Sequence, residues 1–192
     1  MKRIVIISLL FSVSMFCVSS QSLFAQKFAV KTNSVYWLTA SPNLSIEIGA
    51  APHLTFEIGG GLNPFIFEDN RKWKHYQWQG ELRYWFCERF YRHFIGIHAG
   101  GGEMNIGRVS CLWPKLSGDK RYQGWAVKAG LSYGYSFVLG GNWNLEATFG
   151  VGVVRSDYER FGCMECADLD GHFSKTVFAP TKMGISFIYM IR

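Results

Sequence analysis

The run Asn144-Leu145-Glu146-Ala147-Thr148-Phe149-Gly150-Val151-Gly152-Val153 alternates without a break. Leu145, Ala147, Phe149, Val151 and Val153 share one parity. Asn144, Glu146, Thr148, Gly150 and Gly152 share the other. A period of two marks an extended strand, whose side chains leave on opposite faces in turn. One face here is apolar and the other is built from Gly, Thr, Asn and Glu. Such a strand suits a wall between lipid and a polar lumen.

The same theme recurs on both sides of this run. Strands are expected over 27–39, 43–50, 54–62, 76–87, 93–106, 122–139, 143–158 and 177–192. Ala40-Ser41-Pro42 links the first two, Pro52 marks a tight turn, and Gly140-Gly141-Asn142 is a strong turn signal. The connections after strands two, four and six are short. Those after strands three, five and seven are long: the polar stretch 63–75, the stretch 107–121, and a last loop of 159–176. Up-and-down barrels of the outer membrane show this asymmetry, with tight turns on the periplasmic side. A soluble sandwich has no reason to segregate its loops by length. The expected fold is therefore all-β: an eight-stranded, antiparallel, up-and-down transmembrane β-barrel. An even strand count lets the first strand pair with the last, and closure removes edges that lipid would forbid.

With the apolar parity taken as outward, Lys31, Glu47, Glu57, Glu81, Arg83, Lys128, Glu146 and Lys182 point into the lumen. An eight-stranded barrel has an interior just wide enough for side chains to fill. Unpaired charges buried there would cost several kcal/mol each. The balance of signs favours a salt-bridged plug over a proton or ion path.

The chain has 192 residues, enough for one domain. Lys2 and Arg3 followed by an apolar stretch over 4–18 read as a secretory signal peptide, 1–25, leaving a barrel domain of 26–192. A cut after Ala25 is expected, with Ser20 as the alternative. Ser14-Met15-Phe16 ahead of Cys17 fits a lipoprotein site poorly, and the stretch is too short for a retained membrane helix. Without Lys2 and Arg3, the 20 basic residues become 18 against 14 acids. So modest a balance, with no basic stripe, excludes nucleic acid as a partner. Aromatic content of 17% together with 21 Gly fits aromatic girdles around a Gly-lined lumen better than a large soluble core.

Several ordered stretches carry a resemblance. They are Lys31-Thr32-Asn33, Pro42-Asn43-Leu44 with Glu47, and Glu81-Leu82-Arg83-Tyr84-Trp85. Further along come Arg121-Tyr122-Gln123-Gly124-Trp125, Leu131-Ser132-Tyr133-Gly134-Tyr135, Trp143-Asn144-Leu145-Glu146 and Pro180-Thr181-Lys182. The chain resembles, over nearly all of its mature length, a family of small outer-membrane barrels from Gram-negative anaerobes. That family is classed as a domain of unknown function and is often encoded beside fimbrial genes. The resemblance implies an outer-membrane location and a link to surface fibres. It offers no catalytic residues to carry over.

Two local features bear on chemistry. Cys163-Met164-Glu165-Cys166 lies in the last long loop. In an exported protein a local disulfide is the plain reading, beside free thiols or a thin zinc set completed by Asp168 and His172. Cys87 and Cys111 fall at opposite ends of the expected barrel and are not paired. A lipid-modifying enzyme would need a His, Ser or Asp group near the outer rim. His75, His172, Asp69, Asp157 and Ser156 are present, but no spacing links them.

The reading is thus a non-enzymatic barrel of the cell outer membrane with no metal and no cofactor. Its lumen is closed, and its outer loops act as an anchoring or binding surface. Its partners would be outer-membrane lipid and fimbrial or other surface proteins. A general adhesin or envelope-integrity barrel is the alternative, and a lipid-modifying enzyme a weaker one.

Overall fold

A computed structural model describes residues 28–64, 66–67, 71–107, 121–161 and 169–191. The elements are β1 (Phe28–Asn33), α1 (Ser34–Trp37), β2 (Asn43–Ala51), β3 (Leu54–Asn63), β4 (Ile66–Phe67), β5 (Arg71–Trp85), β6 (Arg92–Gly107), β7 (Arg121–Gly140), β8 (Trp143–Phe161) and β9 (Leu169–Ile191). The fold is all-β. Eight long antiparallel strands lie in one sheet in the order β3-β2-β1-β9-β8-β7-β6-β5, and β5 pairs back onto β3. The sheet is thereby a closed ring, and the two-residue β4 is an annex on β5.

Turn chemistry explains the short connections at one end. Pro52 and His53 join β2 to β3, where a missing N–H costs no ladder bond. Between β7 and β8, Gly140 (φ 117°) and Gly141 (φ 59°) adopt backbone conformations that side chains resist. Between β5 and β6, Phe90 (φ 63°) and Arg92 (φ 61°) are left-handed without being glycine. Such strain costs on the order of 1–3 kcal/mol and persists where the surroundings dictate it. Here the Phe90 side chain is buried, and Asn144 Nδ2 donates to the Phe90 carbonyl at 2.9 Å.

Three element bounds depart from the sequence expectation by about five residues or more. The first strand stops at Asn33 rather than running to 39. The Asn33 side chain accepts from Val35 N at 3.0 Å and caps the short helix α1. The loop between β1 and β2 is accordingly longer than Ala40-Ser41-Pro42 alone. At the same end β5 begins at Arg71 instead of 76, and β9 at Leu169 instead of 177. Polar residues in these stretches do not interrupt pairing, because long neighbours, β6 and β8, continue alongside them.

β9 also carries a bulge. Gly150 faces Lys182 while Val151 faces Pro180, so Thr181 is the extra residue. Thr181 and Lys182 consequently both turn inward, and the parity of β9 reverses above that point.

The outer face is apolar over the middle of the ring. Ile97 is 65% exposed, Leu131 62% and Met183 60%, with Ile58, Leu82 and Phe149 between them. Aromatic side chains edge this zone on both sides. Tyr84, Phe86, Tyr133, Phe137, Trp143 and Tyr189 stand toward the short turns, and Trp37, Tyr76, Trp78 and Trp125 toward the other end.

Candidate functional site

The inside of the ring is layered. Nearest the short turns, Ala29, Trp85, Phe90, Phe94, Ile188 and Met190 form the one buried apolar cluster among the described residues. Trp85 and Phe94 pack as a tilted pair with centroids 4.7 Å apart, and Trp85 Nε1 donates to Thr55 Oγ1 at 2.8 Å. Those of them on strands share inward parity with the charged residues, so alternation alone could not flag them as a separate layer. Gly134 makes room for the Phe94 ring, which would collide with any side chain there.

Above this plug lies an ionic layer. Lys31, Glu47, Glu57, Glu81, Arg83, Glu146 and Lys182 form one connected cluster. Arg83 sits over the Phe94 ring at 4.5 Å and donates to Glu81 (2.8 and 2.9 Å), Glu47 (2.8 Å) and Glu146 (3.0 Å), and it also contacts Glu57. Lys31 contacts Glu47, Glu146 at 2.8 Å and Glu57 at 3.3 Å. Lys182 contacts Glu81, and Glu57 at 3.5 Å. Three hydroxyls complete the carboxylates: Thr55 on Glu47, Ser132 on Glu81, and Thr148 on Glu146 at 2.9 Å. Each of the four carboxylates thus has both oxygens engaged, which a buried ionic network requires to be stable.

Lys128 stands apart from this cluster. The salt-bridged plug expected from the sequence included it, but the register keeps it from Glu146, the acid on the adjacent strand. The turn between β7 and β8 places Lys128 opposite Val154 and Glu146 opposite Ser136. The Lys128 ammonium donates instead to the Thr181 carbonyl at 2.9 Å. Thr181 Oγ1 in turn meets His98 Nε2 at 2.8 Å, while the buried His98 Nδ1 has no partner among the described residues. The bulge at Thr181 creates this arrangement, and no periodic signal announces a bulge.

At the end away from the short turns the ring opens into a cup of about 950 Å³. One row of paired residues runs around it, and alternate positions, among them Tyr76, Glu103, Trp125, Asp157 and Glu159, border it as well. Asn63 pairs with His75, His75 with Met104, Met104 with Gly124, Gly124 with Tyr158, and Tyr158 with Phe173. Tyr158 stacks on Phe173 at 5.8 Å, and Tyr122 packs edge-on against Tyr158 at 5.8 Å. Arg160 lies over the Phe173 ring at 4.6 Å. Sequence reasoning did not assemble this row. It depends on register between strands far apart in the chain.

The remaining candidates from the sequence are scattered. Cys163, Cys166, Asp168 and Asp69 lie outside the described residues, as does the whole of 1–25. Cys87 is disulfide-bonded, with a partner outside the described residues. His172 faces outward and meets Glu159 at 3.3 Å, and Asp157 meets Arg155 at 3.7 Å. Ser156 Oγ donates to the Lys175 carbonyl, and His75 meets Ser41 at 3.5 Å. Among the described residues no group of three or more His, Cys, Asp or Glu side chains is placed to hold a metal.

No curated protein and no solved structure matches this chain. A family model described as "Protein of unknown function (DUF3575)" matches residues 8–191, nearly the full length over which the closed ring and its ionic core are built, and the chain belongs to that family.

Proposed function

We propose that this chain is a non-enzymatic β-barrel of the outer membrane, with a closed lumen and a loop end that serves as an anchoring or binding surface. One observation carries the reading: a closed strand ring that wears its large apolar side chains outside and its charges inside. In water that arrangement is inverted, because a contiguous apolar patch of this size on a soluble monomer is a liability. In a bilayer it is required. From Tyr76 on β5 to Phe86 just past its end the chain rises roughly 25 Å along a tilted strand, which is the height of an outer-membrane apolar band. Aromatic side chains at both edges of the zone suit the two lipid–water interfaces.

The apolar plug and the ionic layer together fill the lumen, so the barrel is proposed to conduct nothing and to act through its loop end. The family resemblance makes surface fibres the first partner class to test. Fractionation of cells in which the signal peptide has been processed tests the location. The protein should fall in the outer-membrane fraction and run at different positions on a gel when boiled and unboiled. Recovery as a soluble periplasmic protein with no such shift overturns the barrel reading. Crosslinking in intact cells then tests the partner: a fimbrial subunit among the products supports the fibre link, and loop-dependent adhesion in a fibre-free strain favours the adhesin reading instead.

A further inference from the structure

Charges near the cup sort by face. Lys128, Lys175 and Arg160 fall on inward positions, paired with Val154, Ser156 and Tyr122. Glu103, Asp157 and Glu159 fall on the alternate positions and also border the cup, and the last two are engaged by Arg155 and His172.

Lys128 lies below the cup and is the cation there that no acid engages among the described residues. It lines a cavity of about 160 Å³ together with Gln77, Ala126 and Val154, and this cavity shares His75, Glu103 and Met104 with the cup above it. Lys31, Arg83 and Lys182 all touch carboxylates, whereas Lys128 has only the Thr181 carbonyl among the described residues. An ammonium has three donors, so two of them remain for a ligand. Next to it, the buried His98 reaches Thr181 through Nε2 and leaves Nδ1 unpartnered.

We infer that the cup is a binding site for an oxyanion, a carboxylate or phosphate ester, carried on an apolar body. The body lies against Tyr158, Phe173, Tyr122 and Met104, and the anion descends to Lys128. A desolvated cation gains most from a partner that brings opposite charge, and aromatic walls supply contact area at small entropic cost. The competing role for Lys128 is charge balance at a distance, since the ionic layer holds four carboxylates against three cations. The two roles differ in whether a ligand binds. The inference rests on the lumen geometry and does not depend on the membrane placement proposed above.

The test is calorimetric titration of the purified, refolded protein, its β-structure checked by circular dichroism. The probes are phenyl phosphate, hexyl phosphate, inorganic phosphate and phenol. At least one ester should bind about tenfold more tightly than inorganic phosphate or phenol, and the ratio of the two esters separates an aryl-bearing ligand from a lipid-like one. Lys128→Met should weaken that binding about tenfold or more, the effect of one charge-assisted hydrogen bond. Lys128→Arg should retain it within roughly threefold, since the charge and donors survive. Absence of saturable binding by either ester overturns the inference, as does equal affinity in wild type and Lys128→Met. Where Lys128→Met fails to fold, the ¹⁵N resonance of the Lys128 ammonium in wild type decides. A shift on adding the tighter ester supports the site, and an unmoved signal overturns it.

Discussion

Arg83 and Glu146, 63 positions apart in the chain, meet inside the ring with Nη1 3.0 Å from Oε2. Sheet pairing does not bring them together. Arg83 is paired with Thr55 and Gly96, and Glu146 with Ser136 and Ser186. They reach each other across the lumen, and Arg83 touches three further glutamates on the way. The guanidinium is therefore the hub on which four strands converge.

Replacing Arg83 with Met should destabilise the fold by about 3–5 kcal/mol, because it leaves buried carboxylates without their main partner. Glu146→Gln should cost less. An amide keeps an acceptor for Thr148, and Arg83 and Lys31 keep their other glutamates. Urea unfolding of the refolded variants measures both. An Arg83→Met variant within about 1 kcal/mol of wild type would remove Arg83 from this role.

Ile97 lies between Leu82 and Leu131 in the middle of the outer face. Ile97→Arg should cost about 2–4 kcal/mol in phospholipid vesicles if this face meets the hydrocarbon midplane. On a water-facing surface the same change would be close to neutral. Equilibrium unfolding in vesicles distinguishes the two outcomes, and a neutral result contradicts lipid contact.

Trp85→Ala empties the centre of the apolar layer and should destabilise by about 3–5 kcal/mol. It should not open a pore, since the ionic layer remains above it. Wild type and variant alike should give no steady current in a planar bilayer. Reproducible single-channel steps from the wild type would show that the two layers do not seal the lumen.

Thr181→Val removes the hydroxyl that meets His98 and leaves a buried imidazole unsatisfied, at about 1–3 kcal/mol. Deleting Thr181 is more drastic. Without the bulge, one side of β9 must rotate by one residue, which would turn Phe178 inward. The deletion should abolish refolding, as read by circular dichroism. A well-folded deletion variant would mean that the bulge can migrate along the strand.

What the sequence by itself determined is local. Alternation of period two in stretches such as 144–153 makes strands and separates each strand into an apolar and a polar face. Pro52 and Gly140-Gly141 place tight turns, because a missing N–H and a left-handed backbone are properties of single residues. The helical turn after Asn33 was within reach of the same reasoning, since Asn33-Ser34 is a capping signal, but the β-like residues Val35, Tyr36 and Trp37 mask it. What only the tertiary structure decided is the level of each inward side chain. Parity puts Lys128 and Glu146 on one face, yet register sets them far apart and delivers Glu146 to Arg83 and Lys31. Parity likewise cannot separate the Trp85 layer from the Arg83 layer, or collect His75, Met104, Tyr158 and Phe173 into one wall. Register comes from pairings between strands remote in the chain and from a bulge at Thr181, and neither leaves a periodic trace in a single sequence.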